Sequence, residues 1–147
     1  MSIDRTTLTN ILEALPFQAG RWVVAGSAPM LMAGLIDSIH DVDIVVDGTA
    51  WQQAVSLSDG EPRDGLLGDQ RVSIELEGAT VEIFNGWLGI DAAQMITEAV
   101  DLDGFRFSPL ERVLESKRRL LRSRDVVHIA IIEAHLSDRQ EPRAESQ

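Results

Sequence analysis

The chain has 147 residues, of which 44% are hydrophobic and 25% are charged, and its mean hydropathy is near zero. This balance favours one folded domain with a core over a disordered or membrane-embedded chain. The formal net charge of -11 argues against nonspecific binding to nucleic acid, which depends on many Lys and Arg contacts, and the absence of Cys excludes disulfides and thiolate zinc sites.

The apolar segments of the sequence are all short. None approaches the roughly 20 residues that a bilayer span needs, and the opening MSIDRTTLTN lacks the basic cluster and apolar core of a secretory signal. We therefore expect a cytoplasmic protein that does not bind membranes. We predict a single domain over residues 1–136 and a polar, disordered tail over residues 137–147.

The first part of the chain is predicted to alternate short helices and strands. Residues 5–15 predict a helix that Pro16 ends, and RWVVAG predicts a brief buried strand. The next segment, SAPMLMAGL, has Ser27 at a capping position, a Pro in its first turn and apolar residues all round, as a buried helix would have. DVDIVVDG predicts a second strand, and TAWQQAVSL predicts a helix capped by Thr49.

A loop and two hairpins are predicted next. Residues Ser56–Gln70 are rich in Gly, Asp and Pro and predict a mobile loop, and a short hairpin is predicted around Asp103-Gly104. Between them, RVSIELEGATVEIFNG alternates on both sides of Gly78-Ala79, which predicts a hairpin that turns at these two residues. The cross-strand partners expected from that turn are Ile74 with Ile83, Glu75 with Glu82, and Leu76 with Val81.

Two helices are predicted to end the domain. Ser108 and Glu111 form a capping box around a Pro at the first helical position, which predicts a helix from Pro109 to about Leu121. A second helix is expected from about Arg124 to Leu136.

Lys117 shares a helical stripe with apolar residues, namely Leu110, Val113, Leu114, Leu120 and Leu121. Two interpretations are open. Its aliphatic stem could lie on apolar surface with the ammonium in water, or the ammonium could contact a nucleotide phosphate.

Asp41 and Asp43 stand out because they belong to a strand that otherwise reads as buried. Alternation puts both on one face, about 7 Å apart along the strand. Two carboxylates there repel each other and lose hydration, and a divalent cation such as Mg²⁺ would relieve the cost. The alternative is that they lie on the solvated side of an edge strand. The preceding Gly26-Ser27 turn, which directs backbone N–H groups and a hydroxyl towards a possible anion, favours the metal interpretation.

The segment GSAPMLMAGLIDSIHDVDIVV resembles the signature of the nucleotidyltransferase fold superfamily, in which a Gly-Ser turn opens a helix and an Asp-x-Asp strand follows. The 13 residues between Ser27 and Asp41 are similar to the spacing in the abortive-infection AbiE type II toxin and lincosamide-modifying branches. VEIFNG is similar to the strand that carries the family's third carboxylate, here Glu82. LERVLESKRRLLRSRDVVHIAII is similar to a family pattern of Leu, then Lys, then Arg-x-Lys-Asp ahead of a final helix, whose positions correspond to Lys117, Arg122, Arg124 and Asp125.

This resemblance implies an α+β nucleotidyltransferase fold, with a small mixed sheet flanked by helices and a C-terminal helical pair. It implies transfer of a nucleoside monophosphate from an NTP with Mg²⁺ or Mn²⁺ as cofactor. The catalytic metal ligands would be Asp41, Asp43 and Glu82, and the phosphate-binding residues would be Gly26, Ser27, Lys117 and Arg124. The family commonly has Asp where this sequence has Glu82 and His128.

Other functions remain open. The protein could be a catalytically inactive interaction protein of the same fold, one component of a toxin–antitoxin pair, or a small metal- or ligand-binding α/β module. The acceptor of an active enzyme could be a small molecule, RNA or protein, and a homo-oligomer or a partner subunit could complete the site. Trp22, Trp51 and Trp87 could stack on a base, although isolated tryptophans more often belong to a core.

Overall fold

A computed structural model of the protein describes residues 2–65 and 68–140. Six helices are present in these ranges: α1 Arg5–Ala14, α2 Ala28–Met32, α3 Gly48–Leu57, α4 Ala92–Thr97, α5 Leu110–Leu120 and α6 Ser123–Gln140. The strands there are β1 Trp22–Ala25, β2 Val42–Val46, β3 Arg63–Asp64, β4 Gln70–Leu76, β5 Ala79–Phe84, β6 Gly86–Trp87, β7 Ile90–Asp91, β8 Val100–Leu102 and β9 Phe105–Phe107.

The main sheet is mixed and has the strand order β3-β4-β5-β2-β1-β9-β8, with β6 and β7 forming a separate ribbon. β2 is parallel to β5, and β1 is parallel to β9, whereas the other neighbours are antiparallel. β2 therefore lies at the centre of the sheet. The edge-strand interpretation of Asp41 and Asp43 is wrong, because β2 has a hydrogen-bonded neighbour on each side.

Helices cover both faces of the sheet. One face contributes Val24, Ile44 and Ile83 to the largest core cluster, together with Leu8 and Ile11 of α1. The other face packs its buried residues against α4 and the β6–β7 ribbon. α5 and α6 pack on each other and around the fully buried Met30 of α2. The predicted α+β class, with a mixed sheet flanked by helices and a C-terminal helical pair, is confirmed.

The β4–β5 hairpin differs from its prediction in register. It turns at Glu77-Gly78, and Glu82 faces Ser73 while Glu75 faces Thr80, so the predicted opposition of Glu75 and Glu82 is wrong. Both turn residues have positive φ, 51° and 77°, as a two-residue type I′ hairpin turn requires. The shift of two residues keeps every side chain on its predicted face, because the side-chain period of a strand is two. The hairpin at Asp103-Gly104 is confirmed.

Two predicted helix caps are wrong. α3 is capped by Asp47, whose Oδ1 accepts a hydrogen bond from the backbone N–H of Ala50, and not by Thr49. The capping box at the start of α5 does not form, because Ser108 is buried and its Oγ has no hydrogen-bond partner among the described residues. Backbone pairing places Ser108 there, since its N–H donates to the carbonyl oxygen of Val24 in β1.

The predicted loop and tail are both partly structured. Within Ser56–Gln70, β3 pairs with β4 at the edge of the sheet, and residues 66–67 lie outside the described residues. α6 continues to Gln140, so the first part of the predicted disordered tail is helical, and residues 141–147 lie outside the described residues. In residues 2–65 and 68–140, no helix is both long and apolar enough to cross a bilayer. The cytoplasmic location stays a prediction.

Candidate functional site

All seven residues of the predicted site line one cavity of about 1010 Å³ above the centre of the sheet: Gly26, Ser27, Asp41, Asp43, Glu82, Lys117 and Arg124. Its floor is a row of polar side chains on three adjacent strands. In the parallel pairing of β2 with β5, Asp43 lies beside Glu82, which lies opposite Ser73 of β4. Asp41 immediately precedes β2, and its side chain is 57% exposed.

Asp43 and Gly26 are in direct contact. The register of β1 and β2 pairs Ala25 with Asp43, which brings the following turn over the carboxylate. A Cβ atom at Gly26 would lie 2.4 Å from Oδ2 of Asp43, and Gly26 has φ +68°. No other residue could occupy this position without moving the carboxylate. The glycine of the Gly-Ser turn is therefore needed for the acidic strand beneath it.

The carboxylate of Asp43 is in an unfavourable place for negative charge. Burial raises its pKa to about 7, and the nearby charges of Asp41 and Glu82 add to the rise, while Arg122 and Arg124 oppose it. The guanidinium of Arg124 lies 4.0 Å from Oδ2 of Asp41, and both side chains are more than half exposed. An ion pair this exposed contributes little stabilisation. The protein therefore neutralises the charges of Asp41 and Asp43 only in part.

Lys117 is buried and joined to the Gly-Ser turn. Its Nζ donates a hydrogen bond to Oγ of Ser27 at 2.8 Å and lies 3.4 Å from Oδ1 of Asp125, and its side chain is 5% exposed. The interpretation that places its ammonium in bulk water is wrong. Burial lowers the pKa of Lys117, and the charge of Asp125 opposes that change. Ser27 occupies the N-cap position of α2, but its hydroxyl accepts from Lys117 and makes no cap hydrogen bond.

Asp125 is a fully buried carboxylate that orients the cations at this side of the cavity. It accepts hydrogen bonds from the backbone N–H and the Nε of Arg122, at 2.9 and 2.8 Å, and it pairs with Lys117. Burial by itself would raise the pKa of Asp125, but the hydrogen bonds from Arg122 and the charge of Lys117 outweigh it and lower the pKa to about 2. Asp125 is therefore ionised and holds Lys117 against Ser27.

Glu82 lies beside Asp43, but its carboxylate is engaged by side chains of β3 and β4. Ser73 Oγ donates to it in a short hydrogen bond, and Nη2 of Arg63 and Nη1 of Arg71 lie 3.4 and 3.7 Å from its Oε1. Within the part of the chain that the structure describes, no three His, Cys, Asp or Glu side chains form a group that could hold a metal ion. The predicted ligand set is thus brought into one cavity, where Asp41, Asp43 and Glu82 do not form such a group and Glu82 pairs with two arginines.

Sequence reasoning missed Ser73, Arg63 and Arg71. Ser73 was hidden by the error in the hairpin register, which placed Glu75 opposite Glu82. The sequence predicts a loop at Arg63, whereas Arg63 pairs with Arg71 across β3 and β4. A correct register for β4 and β5 would have revealed Ser73, whereas nothing in the local sequence indicates that β3 forms.

The tryptophans are mainly structural. Trp22 and Trp51 belong to the core or pack against it. Trp87 lines the cavity, but its Nε1 donates to Ser116 Oγ and its ring meets Phe84 edge-on at 5.0 Å, so it forms a fixed wall. His128 also lines the cavity. Its Nδ1 is buried without a hydrogen-bond partner among the described residues, and burial lowers its pKa.

This architecture matches a solved structure from Thermotoga maritima that is described as a "putative nucleotidyltransferase". The TM-score is 0.60, the sequence identity is 18%, and the match covers 90% of this chain and 92% of the other. The chain has the nucleotidyltransferase fold.

At this low identity the likeness establishes the fold alone. No protein-family model matches the chain, and no curated protein is significantly similar to it in sequence. The predicted fold is confirmed, while the assignment to the AbiE type II or lincosamide branch stays a prediction. Within the nucleotidyltransferase fold, the cavity offers two carboxylates beside a buried ammonium and a hydroxyl, which suits an anionic substrate that carries its own cation.

Proposed function

We propose that the protein is a metal-dependent nucleotidyltransferase, which moves a nucleoside monophosphate from an NTP to the hydroxyl of an acceptor. The observation that carries this proposal is the juxtaposition of Asp41 and Asp43 with Ser27 and Lys117 in one cavity. The acids suit a hard divalent cation, and the ammonium and hydroxyl suit the phosphates that accompany it.

Asp41 and Asp43 fit Mg²⁺ or Mn²⁺ by their chemistry. Both offer carboxylate oxygen, and the raised pKa of Asp43 marks a place where a cation would relieve crowded negative charge. When bound, the ion would neutralise the triphosphate and make the α-phosphorus a better electrophile. Glu82 would contribute as a third ligand or as the base that takes the acceptor's proton.

The remaining residues would bind and orient the triphosphate. Ser27, held by Lys117, would offer its hydroxyl proton and the backbone of the Gly-Ser turn to the β- and γ-phosphates, and Lys117 and Arg124 would balance their charge. α2 has only five residues, so its dipole is small and the contact depends on Lys117 and the turn.

In the transfer, the acceptor oxygen would form a bond to the α-phosphorus while the bond from that phosphorus to the bridging oxygen breaks. Pyrophosphate leaves with the electron pair, and the acceptor's proton goes to Glu82 or to water. Most of the rate would come from alignment and neutralisation of charge.

Isothermal titration with Mg-ATP and Mg-GTP tests the proposal. We expect wild-type protein to bind at least one nucleotide only when the metal is present, and Asp43→Asn to lose that binding. Asp101→Asn is the matched control, because it makes the same change at an exposed acid at the edge of the sheet. If wild-type protein binds neither nucleotide with metal present, the enzymatic proposal is wrong.

One observation favours a second candidate, a non-catalytic protein of the same fold that acts as an interaction subunit or as half of a toxin–antitoxin pair. Glu82 interacts with Ser73, Arg63 and Arg71 and does not form a metal-binding group with Asp41 and Asp43. Labelled NTP incubated with the protein and cell extract decides between the two. A labelled product that depends on Asp43 identifies an enzyme, whereas nucleotide binding without any product supports the second candidate.

A further inference from the structure

Two arginines form a second basic group in the cavity, separate from Lys117 and Arg124. Arg63 and Arg71 are direct cross-strand partners on β3 and β4. The strand order places them on the opposite side of β2 from β1, the strand that leads into Ser27. The acidic centre at Asp43 therefore lies between two basic groups, and only one of them is needed to hold a triphosphate.

Like charges in directly opposed positions destabilise a sheet unless an anion lies against them. Here the anion is the Glu82 carboxylate, at 3.4 Å from Arg63 and 3.7 Å from Arg71. Both distances are longer than the 2.7–2.9 Å or so that is typical of a charge-assisted N–H···O bond. One carboxylate thus faces two guanidiniums and fits neither closely.

The arginines retain unused donors. Each guanidinium has several N–H groups in a planar fork that matches phosphate and carboxylate. The Nε of Arg71 is buried and has no hydrogen-bond partner in the described part of the chain. An unsatisfied buried donor is costly and calls for an explanation. Both side chains line the cavity and are 58% and 41% exposed, so an additional anion can reach their other N–H groups.

We propose that Arg63 and Arg71 bind an anionic group, a phosphate or a carboxylate, on a small acceptor molecule. The inference rests on the proposed function, since it assigns this side of the cavity to the acceptor. The Glu82 carboxylate occupies part of the anion's place and is displaced when the acceptor binds. The acceptor's hydroxyl then lies between the arginine pair and Asp43, where Glu82 can take its proton.

The surroundings favour a small acceptor over a long polyanion. Asp64 and Asp69 line the same cavity, and neither forms an ion pair with the arginines in the residues that the structure describes. The whole chain has a formal charge of -11. A single anionic group can reach the arginine pair, while a chain of phosphates would meet these carboxylates and the acidic surface beyond them.

Arginine Nε–H resonances, measured by NMR in EDTA without nucleotide, test the site directly. Titration with inorganic phosphate should shift the signals of Arg63 and Arg71 in a saturable way, and Arg5, which pairs with Asp103 on the surface, serves as the control signal. Arg71→Gln should weaken phosphate binding at Arg63 by about tenfold. Acetate in a parallel titration distinguishes carboxylate from phosphate recognition.

Glu82→Gln provides the second variant. Removing the internal competitor should tighten phosphate binding by about threefold or more, whereas Asp64→Asn, which removes the same charge from the same cavity, should tighten it less. Equal effects of the two changes, or no saturable shift at Arg63 and Arg71 with either anion, would overturn the inference. A 12-residue RNA that binds there more than about tenfold more tightly than phosphate would assign the site to nucleic acid and also overturn it.

These outcomes are independent of nucleotidyl transfer. Phosphate shifts confined to Arg124, at the proposed triphosphate site, would contradict the acceptor site while leaving the proposed nucleotide site intact. Loss of metal-dependent nucleotide binding would contradict the proposed function while leaving an anion site at the arginines measurable.

Discussion

Gly26 and Gly34 both have strongly positive φ, +68° and +76°, but they differ in what surrounds them. A methyl group at position 26 would meet Oδ2 of Asp43, whereas at position 34 it would meet nothing within 4 Å. Both Gly→Ala variants should therefore lose about 1–2 kcal/mol of unfolding free energy from backbone strain. We expect only Gly26→Ala to lose metal-dependent nucleotide binding as well, by about tenfold or more.

Urea unfolding and isothermal titration on the two variants separate strain from displacement of the carboxylate. Equal loss of nucleotide binding in Gly34→Ala would show that backbone strain alone explains the effect. Unchanged nucleotide binding in Gly26→Ala would show that the position of Asp43 is unimportant for it.

The raised pKa of Asp43 predicts an unusual dependence of stability on pH. Since the folded-state pKa is about 7 and the ordinary value is 3.8, the folded protein holds a proton that the unfolded chain has lost between these values. The contribution of Asp43 to stability is thus fully present below about pH 4 and is lost as the pH rises through 7.

In metal-free buffer, Asp43→Asn should therefore exceed wild-type protein in unfolding free energy by at least about 1 kcal/mol at pH 8, and differ little from it at about pH 4. Under the proposed metal role, Mg²⁺ should raise the stability of wild-type protein at pH 8 and not that of the variant. Chemical unfolding at both pH values checks this, with Asp101→Asn as the control that should show no such contrast. A variant no more stable than wild type at pH 8 would contradict the raised pKa.

At the scale of elements, the turn of the β4–β5 hairpin sets which residues face Glu82. Gly78 has φ +77° and open space around it, while Gly48, at the start of α3, has equally open space and an ordinary φ. Gly78→Ala should cost about 1–2 kcal/mol, and Gly48→Ala should be neutral or stabilise by up to about 1 kcal/mol. Thermal unfolding of the two variants checks this prediction. Similar changes in stability for both variants would mean that the hairpin turn tolerates a side chain.

The same hairpin shows where sequence reasoning stops. Alternation fixes which face each residue occupies, and a slip of two residues leaves that pattern unchanged. The observed register requires positive φ at Glu77 and Gly78. Glutamate does not favour positive φ, so the sequence does not indicate a turn at these two residues. The Asp103-Gly104 hairpin was predictable because its turn residues favour positive φ.

In the candidate site too, some features were predictable from the sequence and others depend on the tertiary fold. Asp41, Asp43 and the Gly-Ser turn are close in sequence, and their spacing was enough to predict that they meet. That β2 lies in the middle of the sheet, and that Arg63 and Arg71 reach Glu82, depends on strand order and long-range pairing. Helical spacing placed Lys117 on an apolar stripe, but only the packing of α5 against α2 shows that its ammonium meets Ser27.

At the scale of the whole molecule, positive charge is concentrated in the cavity. Five of the 13 basic residues line it, Arg63, Arg71, Lys117, Arg122 and Arg124, and they balance five carboxylates there, Asp41, Asp43, Asp64, Asp69 and Glu82. The cavity is therefore nearly neutral within a chain of formal charge -11. Under the proposed function, the long-range field would repel an anionic nucleotide even though the cavity itself would bind it.

Raising the ionic strength from about 0.01 to 0.15 M shortens the screening length from about 30 to 8 Å, which removes much of that repulsion. The association rate of Mg-ATP should then rise, by roughly twofold or more, and not fall as it would for a basic nucleotide-binding protein. Stopped-flow measurement with a fluorescent ATP analogue checks the sign, and a falling rate would show that the cavity's own cations dominate the encounter.

The contact between Gly26 and Asp43 restricts how this sequence can diverge. A side chain at position 26 and a carboxylate at position 43 compete for the same volume, so the two positions should covary among natural descendants of this chain. In lineages that abandon the acid, only the positive φ still favours glycine at this position, whereas in those that keep the acid its carboxylate excludes a side chain as well. The residue at position 26 would then serve as a marker of whether the acidic strand is still under selection.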